Sequence, residues 1–261
     1  MSKALLTATI NQLPRLTLVG AGPGDPELIT LKGMRALQEA DIVLYDALAN
    51  EELLKYVRPD VPRIYVGKRG GGKYKSQEEI NELIVHCARY YGHVVRLKGG
   101  DPYIFGRGHE EQTYAESYGI VVSVVPGISS VYSVPALQAI PLTRRGVSES
   151  FWVITGTTRH GSLSQDVALA AQSTATVVIL MGMRQLTKIQ SVFETHGQCE
   201  TPVAVIQNGS LPEEKIGVAT VSTMVEMAKE EELGAPAIIV IGEVVREHKV
   251  PFWLKKAVQY A

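Results

Sequence analysis

Cysteine is scarce in this 261-residue chain. The two present, Cys87 and Cys199, are too few for a disulfide framework and carry no metal-ligand spacing. The six histidines are scattered, with no His-x-His or His-Glu-x-x-His pair, so no metal site is expected. An excess of either charge is missing too. Lys and Arg number 26 against 27 Asp and Glu, and the net charge of −1 gives no global pull toward nucleic acid or a membrane surface. Any anion site must come from local clustering. The opening MSKALLTATINQLPR has one early lysine and a short apolar stretch broken by Thr and Asn, which matches neither a signal peptide nor a spanning helix. A reduced, cytoplasmic compartment is the expectation.

What is present is an ordinary soluble composition, 45% hydrophobic and 20% charged, with 24 glycines and 13 prolines spread along the chain as turns. From Arg15, apolar β-branched runs alternate with amphipathic segments. RLTLVGAG reads as a buried strand and PELITLKGMRALQEA as a helix, with Leu28, Leu31, Met34 and Leu37 at helical spacing. DIVLYD, PRIYVG, HVVRLKGG and IVVSVVPG read as further strands. SQEEINELIVHCARYYG reads as a helix with Ser76 as N-cap and Glu79 closing a capping box. EEQTYAESYG is a third helix. This alternation predicts an α/β fold whose first domain, residues 14–127, is a doubly wound, mostly parallel sheet. After a segment of small residues and prolines come FWVITG, TATVVILMG, TPVAVIQNGS, EEKIGVATV and PAIIVIGEVV. TPVAVIQ and EEKIGVATV leave no room for a helix between them, so the second domain, residues 128–250, should hold a hairpin in a mixed sheet.

Val19-Gly20-Ala21-Gly22-Pro23-Gly24-Asp25 follows the first strand directly. Glycines there let a ligand approach the backbone, and a following helix offers unpaired N–H groups. A dinucleotide fingerprint would need a glycine where Asp25 stands, and Pro23 removes an N–H that a pyrophosphate would use. Arg96-Leu97-Lys98-Gly99-Gly100-Asp101-Pro102 through Gly108, and Pro126-Gly127-Ile128-Ser129-Ser130, also lie at strand carboxyl ends, where open α/β sheets bind ligands. Three such loops should converge on one sheet edge.

GAGPGDPELITLKG, DIVLYDAL, VGKRGG, RLKGGDPYIFGRG, VVPGISS, IPLTRRG, TPVAVIQNG and PAIIVIGEVV together resemble the tetrapyrrole methylase family, in order, from about Leu16 to Val245. The resemblance implies an enzyme that uses S-adenosylmethionine (SAM) as methyl donor, bound between the domains, and no metal. Carried over by position, Pro23, Gly99, Gly100, Asp101, Ile104, Ser129 and Ser130 would contact SAM from the first domain. Met181, Gly209 and Ala237 would do so from the second, although Met181 and Ala237 could equally be core residues. The family more often has Thr-Ala where this chain has Ser129-Ser130, and Arg144 stands in place of its usual His. Within the family, VGKRGG and IPLTRRG lean toward members that methylate uroporphyrinogen III, giving precorrin-2 for sirohaem or cobalamin. A homodimer is implied as well, and the apolar tail around Phe252 and Trp253 could serve its contact.

Methyl transfer from a sulfonium mainly needs alignment of carbon nucleophile and methyl. A pyrrole carbon gains nucleophilicity as its ring N–H loses a proton. Asp46, at the end of DIVLYD, resembles the family's proposed base, with helix N-capping as its alternative role. Lys68 matches a suggested proton donor. Arg63, Lys68, Arg69, Lys73 and Lys75 lie in a stretch without acidic residues. With Lys98, Arg107, Arg144 and Arg145 they could form a positive field for a polycarboxylate tetrapyrrole. Three rival readings stay open: a sister methylase acting on a later corrin intermediate, a nicotinamide-dependent oxidoreductase, and a non-catalytic sensor of SAM or a nucleotide.

Overall fold

The computed structural model describes residues 13–67 and 75–249. Lys68, Arg69, Lys73, Phe252 and Trp253 lie outside the described residues. The chain divides into two units between Ser129 and Ser130.

The first unit holds one sheet of five parallel strands: β1 (Arg15–Gly20), β2 (Ile42–Tyr45), β3 (Arg63–Tyr65), β4 (His93–Lys98) and β5 (Val121–Val125), in the order β3-β2-β4-β1-β5. Period-two alternation sends Leu16, Leu18, Ile42, Leu44 and Val94 to one face. Val19, Val43, Val95 and Leu97 go to the other. Both faces are covered, which is why the strands read as nearly unbroken apolar runs. Helices α2 (Gln77–Tyr91) and α3 (Gly108–Ser117) cover the first face, and α1 (Leu31–Gln38) covers the second.

The single helix expected over 26–40 is interrupted. A 3-10 turn, Pro26–Leu28, is capped by Asp25, whose Oδ1 accepts from Glu27 N at 2.8 Å. Ile29 and Thr30 are extended, and α1 starts afresh with Thr30 Oγ1 accepting from Gly33 N at 3.0 Å. Two good capping residues five apart outcompete a continuous helix, and Leu31 is left exposed. The capping box of α2 forms as expected. Ser76 Oγ accepts from Glu79 N at 3.1 Å, and Glu79 Oε2 accepts from Ser76 N at 2.5 Å. Such a box is worth about 1 kcal/mol.

In the second unit β6 (Phe151–Thr155), β7 (Thr176–Leu180), β8 (Pro202–Gln207), β9 (Lys215–Thr220) and β10 (Ala237–Ile241) form a mixed sheet in the order β6-β7-β10-β8-β9. Only β6 and β7 are parallel, and β8–β9 is the expected hairpin. Helices α5 (Asp166–Ala170), α6 (Leu186–Thr195) and α7 (Met224–Glu230) pack on one face, through residues such as Val167, Phe193 and Met224. The small-residue, proline-bearing segment contains a helix that patterning did not suggest, α4 (Ser130–Leu137), with Pro135 inside it. Its Val134 packs on the opposite face of the same sheet. Thus the fold is two α/β units, one parallel sheet and one mixed.

Candidate functional site

Because all strands of the first sheet run the same way, their carboxyl ends lie along one edge. The loops after β4, β1 and β5, three adjacent strands, meet there. Gly22 and Gly100 form a two-residue antiparallel bridge, with N–H···O distances of 3.2 and 2.7 Å. A Cβ on Gly20 would lie 2.4 Å from Gly127 Cα, and one on Gly127 only 2.2 Å from Gly100 O. These are backbone atoms that cannot swing aside, so the loops can approach only as glycines. Gly100 differs. It has φ +64°, and a Cβ there would meet no atom within 4 Å, so the backbone is bare toward open space.

Asp101 ties two of these loops together. Its Oδ1 accepts from Tyr103 N at 2.8 Å and its Oδ2 from Gly127 N at 3.0 Å, which places the carboxylate within the loop framework. Asn50 adds a further tie, donating from Nδ2 to Gly24 O at 2.9 Å. Beyond Asp101 the loop turns through two left-handed residues, Phe105 and Arg107, and leaves Tyr103, Ile104 and Phe105 exposed. Ser129 is buried, and Ser130 begins α4.

Asp46 follows β2, one strand from β4, and its N–H bonds to Leu97 O at 3.1 Å. It caps no helix. The next 3-10 helix, Glu51–Tyr56, is capped instead by Asn50, whose Oδ1 accepts from Glu52 N at 2.9 Å. The Asp46 carboxylate belongs to a buried ion cluster. Arg96 and Lys98 share a strand face with Val94, the face covered by α2 and α3, and so point inward rather than to solvent. An Arg96 guanidinium NH₂ group lies 2.6 Å from Asp46 Oδ1, and its Nε lies 3.3 Å from Glu111 Oε1. Lys98 Nζ lies 2.8 Å from Glu111 Oε1 and 3.7 Å from Asp46 Oδ2. Gln77, on α2, also donates to Glu111 Oε1 at 3.2 Å. Burial pushes the Lys98 ammonium below its usual range, reinforced by the Arg96 charge and opposed by Glu111 and Asp46.

This corrects one expectation. Lys98 is no part of a surface field for an anionic ligand, since it is buried and ion-paired. Arg107 is paired with Glu110 at 2.6 Å and Arg144 with Glu247 at 2.5 Å, while Arg145 is exposed. Glu111 and Arg96 were missed as site residues. A signal existed: two long cationic side chains inside HVVRLK, a strand buried on both faces, demand buried partners.

In the second unit, register brings the three expected residues to one sheet edge. Ala237 opens β10 opposite Gln207, the last residue of β8, and Ile238 lies opposite Leu180, the last of β7. Met181 and Gly209 therefore follow strands that end beside the start of β10. Met181 is 51% exposed with φ +54°, which rules out a plain core residue. A Cβ on Gly209 would strike Val134 Cγ1 at 2.3 Å, and the flanking Asn208 and Ser210 are both left-handed. Ala237 is partly buried against the core of its unit. Among the described residues, no group of three His, Cys, Asp or Glu could hold a metal ion.

Fold and edge together define a class: a two-unit α/β protein with glycine-built loops along one strand-end edge of a parallel sheet, unlike the dinucleotide fingerprint. Residues 15–225 match the family described as Tetrapyrrole (Corrin/Porphyrin) Methylases, and the chain belongs to that family. It is 45% identical, over 88% of its length and 96% of the relative's, to a uroporphyrinogen-III C-methyltransferase of Methanocaldococcus jannaschii. It is 42% identical over 95% of its length to a siroheme synthase of Actinobacillus pleuropneumoniae, of which it spans about half, 51%. A crystal structure of uroporphyrin-III C-methyl transferase from Thermus thermophilus, complexed with S-adenyl homocysteine, superposes with a TM-score of 0.76 at 39% identity, covering 89% of this chain and 99% of that one.

Proposed function

We propose that the chain is a SAM-dependent C-methyltransferase that methylates uroporphyrinogen III at ring carbons 2 and 7, giving precorrin-2 for sirohaem or cobalamin synthesis. The observation that carries this is the convergence of three glycine loops at adjacent strand ends, with a partly exposed carboxylate, Asp46, one strand away. The residues fit a SAM-like ligand. Bare backbone at Gly100 admits close approach, and Asp101 fixes the loops around it. Exposed Tyr103, Ile104 and Phe105 supply apolar surface beside them. Backbone in the left-handed region is uncommon outside glycine and gathers at functional sites. Five such residues, Phe105, Arg107, Met181, Asn208 and Ser210, stand in the loops that hold the expected contacts.

Bound SAM supplies an electrophilic methyl on a good leaving group. Pro23, Gly99, Gly100, Asp101, Ile104, Ser129 and Ser130 would hold and orient it, and orientation supplies much of the rate; the assignment of Met181, Gly209 and Ala237 to the same ligand rests on family resemblance alone. Asp46 would accept a pyrrole N–H, drawing electron density toward the carbon to be methylated. Lys68 is assigned as proton donor on family resemblance alone. The Thermus relative with S-adenyl homocysteine bound and the Methanocaldococcus relative matched over 96% of its length both favour the methyltransferase reading. With this reading goes the expectation, on family resemblance and composition, of a cytoplasmic homodimer acting on a small tetrapyrrole rather than on nucleic acid or a membrane. Light scattering at micromolar concentration should report twice the chain mass, and a monomer rejects the dimer.

An anaerobic assay with uroporphyrinogen III and SAM, read by product mass, tests the activity. Two added methyl groups are expected. Turnover only of a later corrin intermediate would make the chain a sister methylase. Calorimetric binding of NADH with no heat from S-adenosylhomocysteine would remove it from methyl transfer altogether.

A further inference from the structure

The buried ion cluster behind Asp46 is hard to explain as a stabilising feature. Taking charges out of water is costly, and apolar residues of similar volume commonly hold a fold at least as well. Yet four charged groups sit together here, graded from interior to edge. The Glu111, Arg96 and Lys98 side chains are 0%, 2% and 4% exposed, whereas Asp46 is 26% exposed. Asp46 is by far the cluster's most exposed member.

The geometry also treats the two oxygens of Asp46 differently. Oδ1 is held by the Arg96 guanidinium at 2.6 Å. Oδ2 faces Lys98 at 3.7 Å, beyond hydrogen-bond distance, and has no hydrogen-bond partner among the described residues. Arg96 is itself fixed from three sides. It donates to Leu97 O at 3.3 Å and Leu44 O at 3.5 Å, and its Nε meets Glu111 at 3.3 Å. Glu111 bridges Arg96 to Lys98 and takes a hydrogen bond from Gln77. Each contact removes a rotational freedom from the next group outward, and the last group in the series is the Asp46 carboxylate.

We propose that Arg96, braced by Glu111 and Lys98, is a positioning residue that pins Asp46 Oδ1 and presents Oδ2 as the oxygen that meets the tetrapyrrole N–H. This rests on the methyltransferase reading and on the role given there to Asp46. Arg96 touches no substrate; it acts through Asp46. Its two carbonyl contacts explain why arginine is needed: a lysine would carry the charge without the planar fork that binds a carboxylate and two carbonyls at once.

A double-mutant cycle on the full chain, with uroporphyrinogen III and SAM, tests this. Arg96→Met should lower kcat by roughly 10- to 10²-fold, the scale of misplacing a reacting group by about an ångström. KM and S-adenosylhomocysteine affinity should stay at wild-type values. In the Asp46→Asn background the same substitution should leave kcat within about twofold, because its effect has no route except through Asp46. That double variant also keeps Glu111 and Lys98 as a balanced pair. Equal loss in both backgrounds makes Arg96 merely structural and overturns the inference, as does an Arg96→Met variant with wild-type kcat. If Arg96→Met does not fold, Arg96→Lys is taken through the same cycle with the same criteria. Wild-type protein without turnover overturns the methyltransferase reading and this inference together. Full turnover by Asp46→Asn removes the role of Asp46 and the inference with it. Normal wild-type turnover with an additive cycle overturns the inference alone.

Discussion

Asp46 and Asp101 stand at the ends of neighbouring strands, yet their carboxylates do different work. Both oxygens of Asp101 accept backbone N–H groups, from Tyr103 and Gly127, so this side chain holds two loops together. Asp101→Ala should loosen both loops and weaken S-adenosylhomocysteine binding by about 10- to 100-fold, since hydrogen bonds to a charged acceptor are worth about 1.5–3 kcal/mol. Calorimetric titration checks it, and unchanged affinity would mean the loops hold without the clip. Asp46 has one oxygen, Oδ1, held by Arg96 at 2.6 Å, while Oδ2 lies 3.7 Å from Lys98. Asp46→Asn should leave that affinity intact while turnover falls by about 10²–10⁴, the usual span for removing a general base. If affinity and turnover fall together, the two aspartates share one role and their division is wrong.

Among the elements, β4 links the glycine-loop edge of the first sheet to its opposite end, where His93 is buried. His93 Nδ1 lies 3.0 Å from Glu39 O, which can only accept, so Nδ1 carries the proton in the neutral ring. Nε2 then accepts from Thr17 Oγ1 at 2.8 Å. Burial lowers the His93 pKa from 6.5; the Glu39 carbonyl bond opposes this, the Arg15 charge supports it, and Asp41 and Glu39 oppose it. The folded-state pKa is therefore below the unfolded one, so the unfolded chain takes up this proton first. The contribution of His93 to stability is present above about pH 6.5 and is lost as pH falls through the lower folded value. Thermal unfolding between pH 7 and pH 5 should show a falling midpoint whose slope is smaller in His93→Gln. Equal slopes would exclude His93 as the cause.

Elements differ in how plainly the amino acids announce them. The α2 capping box and the β8–β9 hairpin were legible, because Ser76 and Glu79 act locally and two strands without a helix between them have little choice. The break at Ile29-Thr30 was not, because Leu28 keeps helical spacing with Leu31 by coincidence while the caps decide the outcome. Nor was α4, whose proline and small residues suggest a loop, although Val131 and Val134 gain burial by being helical. At the site, glycines announced the loops, since only glycine serves where backbones touch. Lys98 gave the opposite impression, reading as part of a surface field. Only strand order and the packing of α3 bring Asp46 and Glu111 to it and to Arg96. That information is non-local.

At the scale of the whole molecule, each unit has apolar clusters on both faces of its sheet, so each possesses a core of its own. Ligand binding to the native state alone should raise the melting temperature by mass action. At S-adenosylhomocysteine concentrations about 100 times its Kd the gain is about 2.7 kcal/mol. For a chain of this size that corresponds to roughly 5–10 °C, readable by scanning calorimetry. No shift would mean that the ligand does not bind the folded protein.

The position of β10 has a consequence for biosynthesis. Every strand of the first sheet has been translated by Val125, so that unit can close while the ribosome is still adding residues. The second sheet cannot do the same. β10 is the last of the described strands to be translated, yet it sits at the centre, between β7 and β8. Until Ala237–Ile241 emerges, the nascent chain carries β6–β7 and β8–β9 as separate ribbons, each with an unpaired inner edge. A polypeptide arrested before Ala237 should therefore have a protease-resistant first unit and a digestible second one, and those open edges make it a natural client for chaperones.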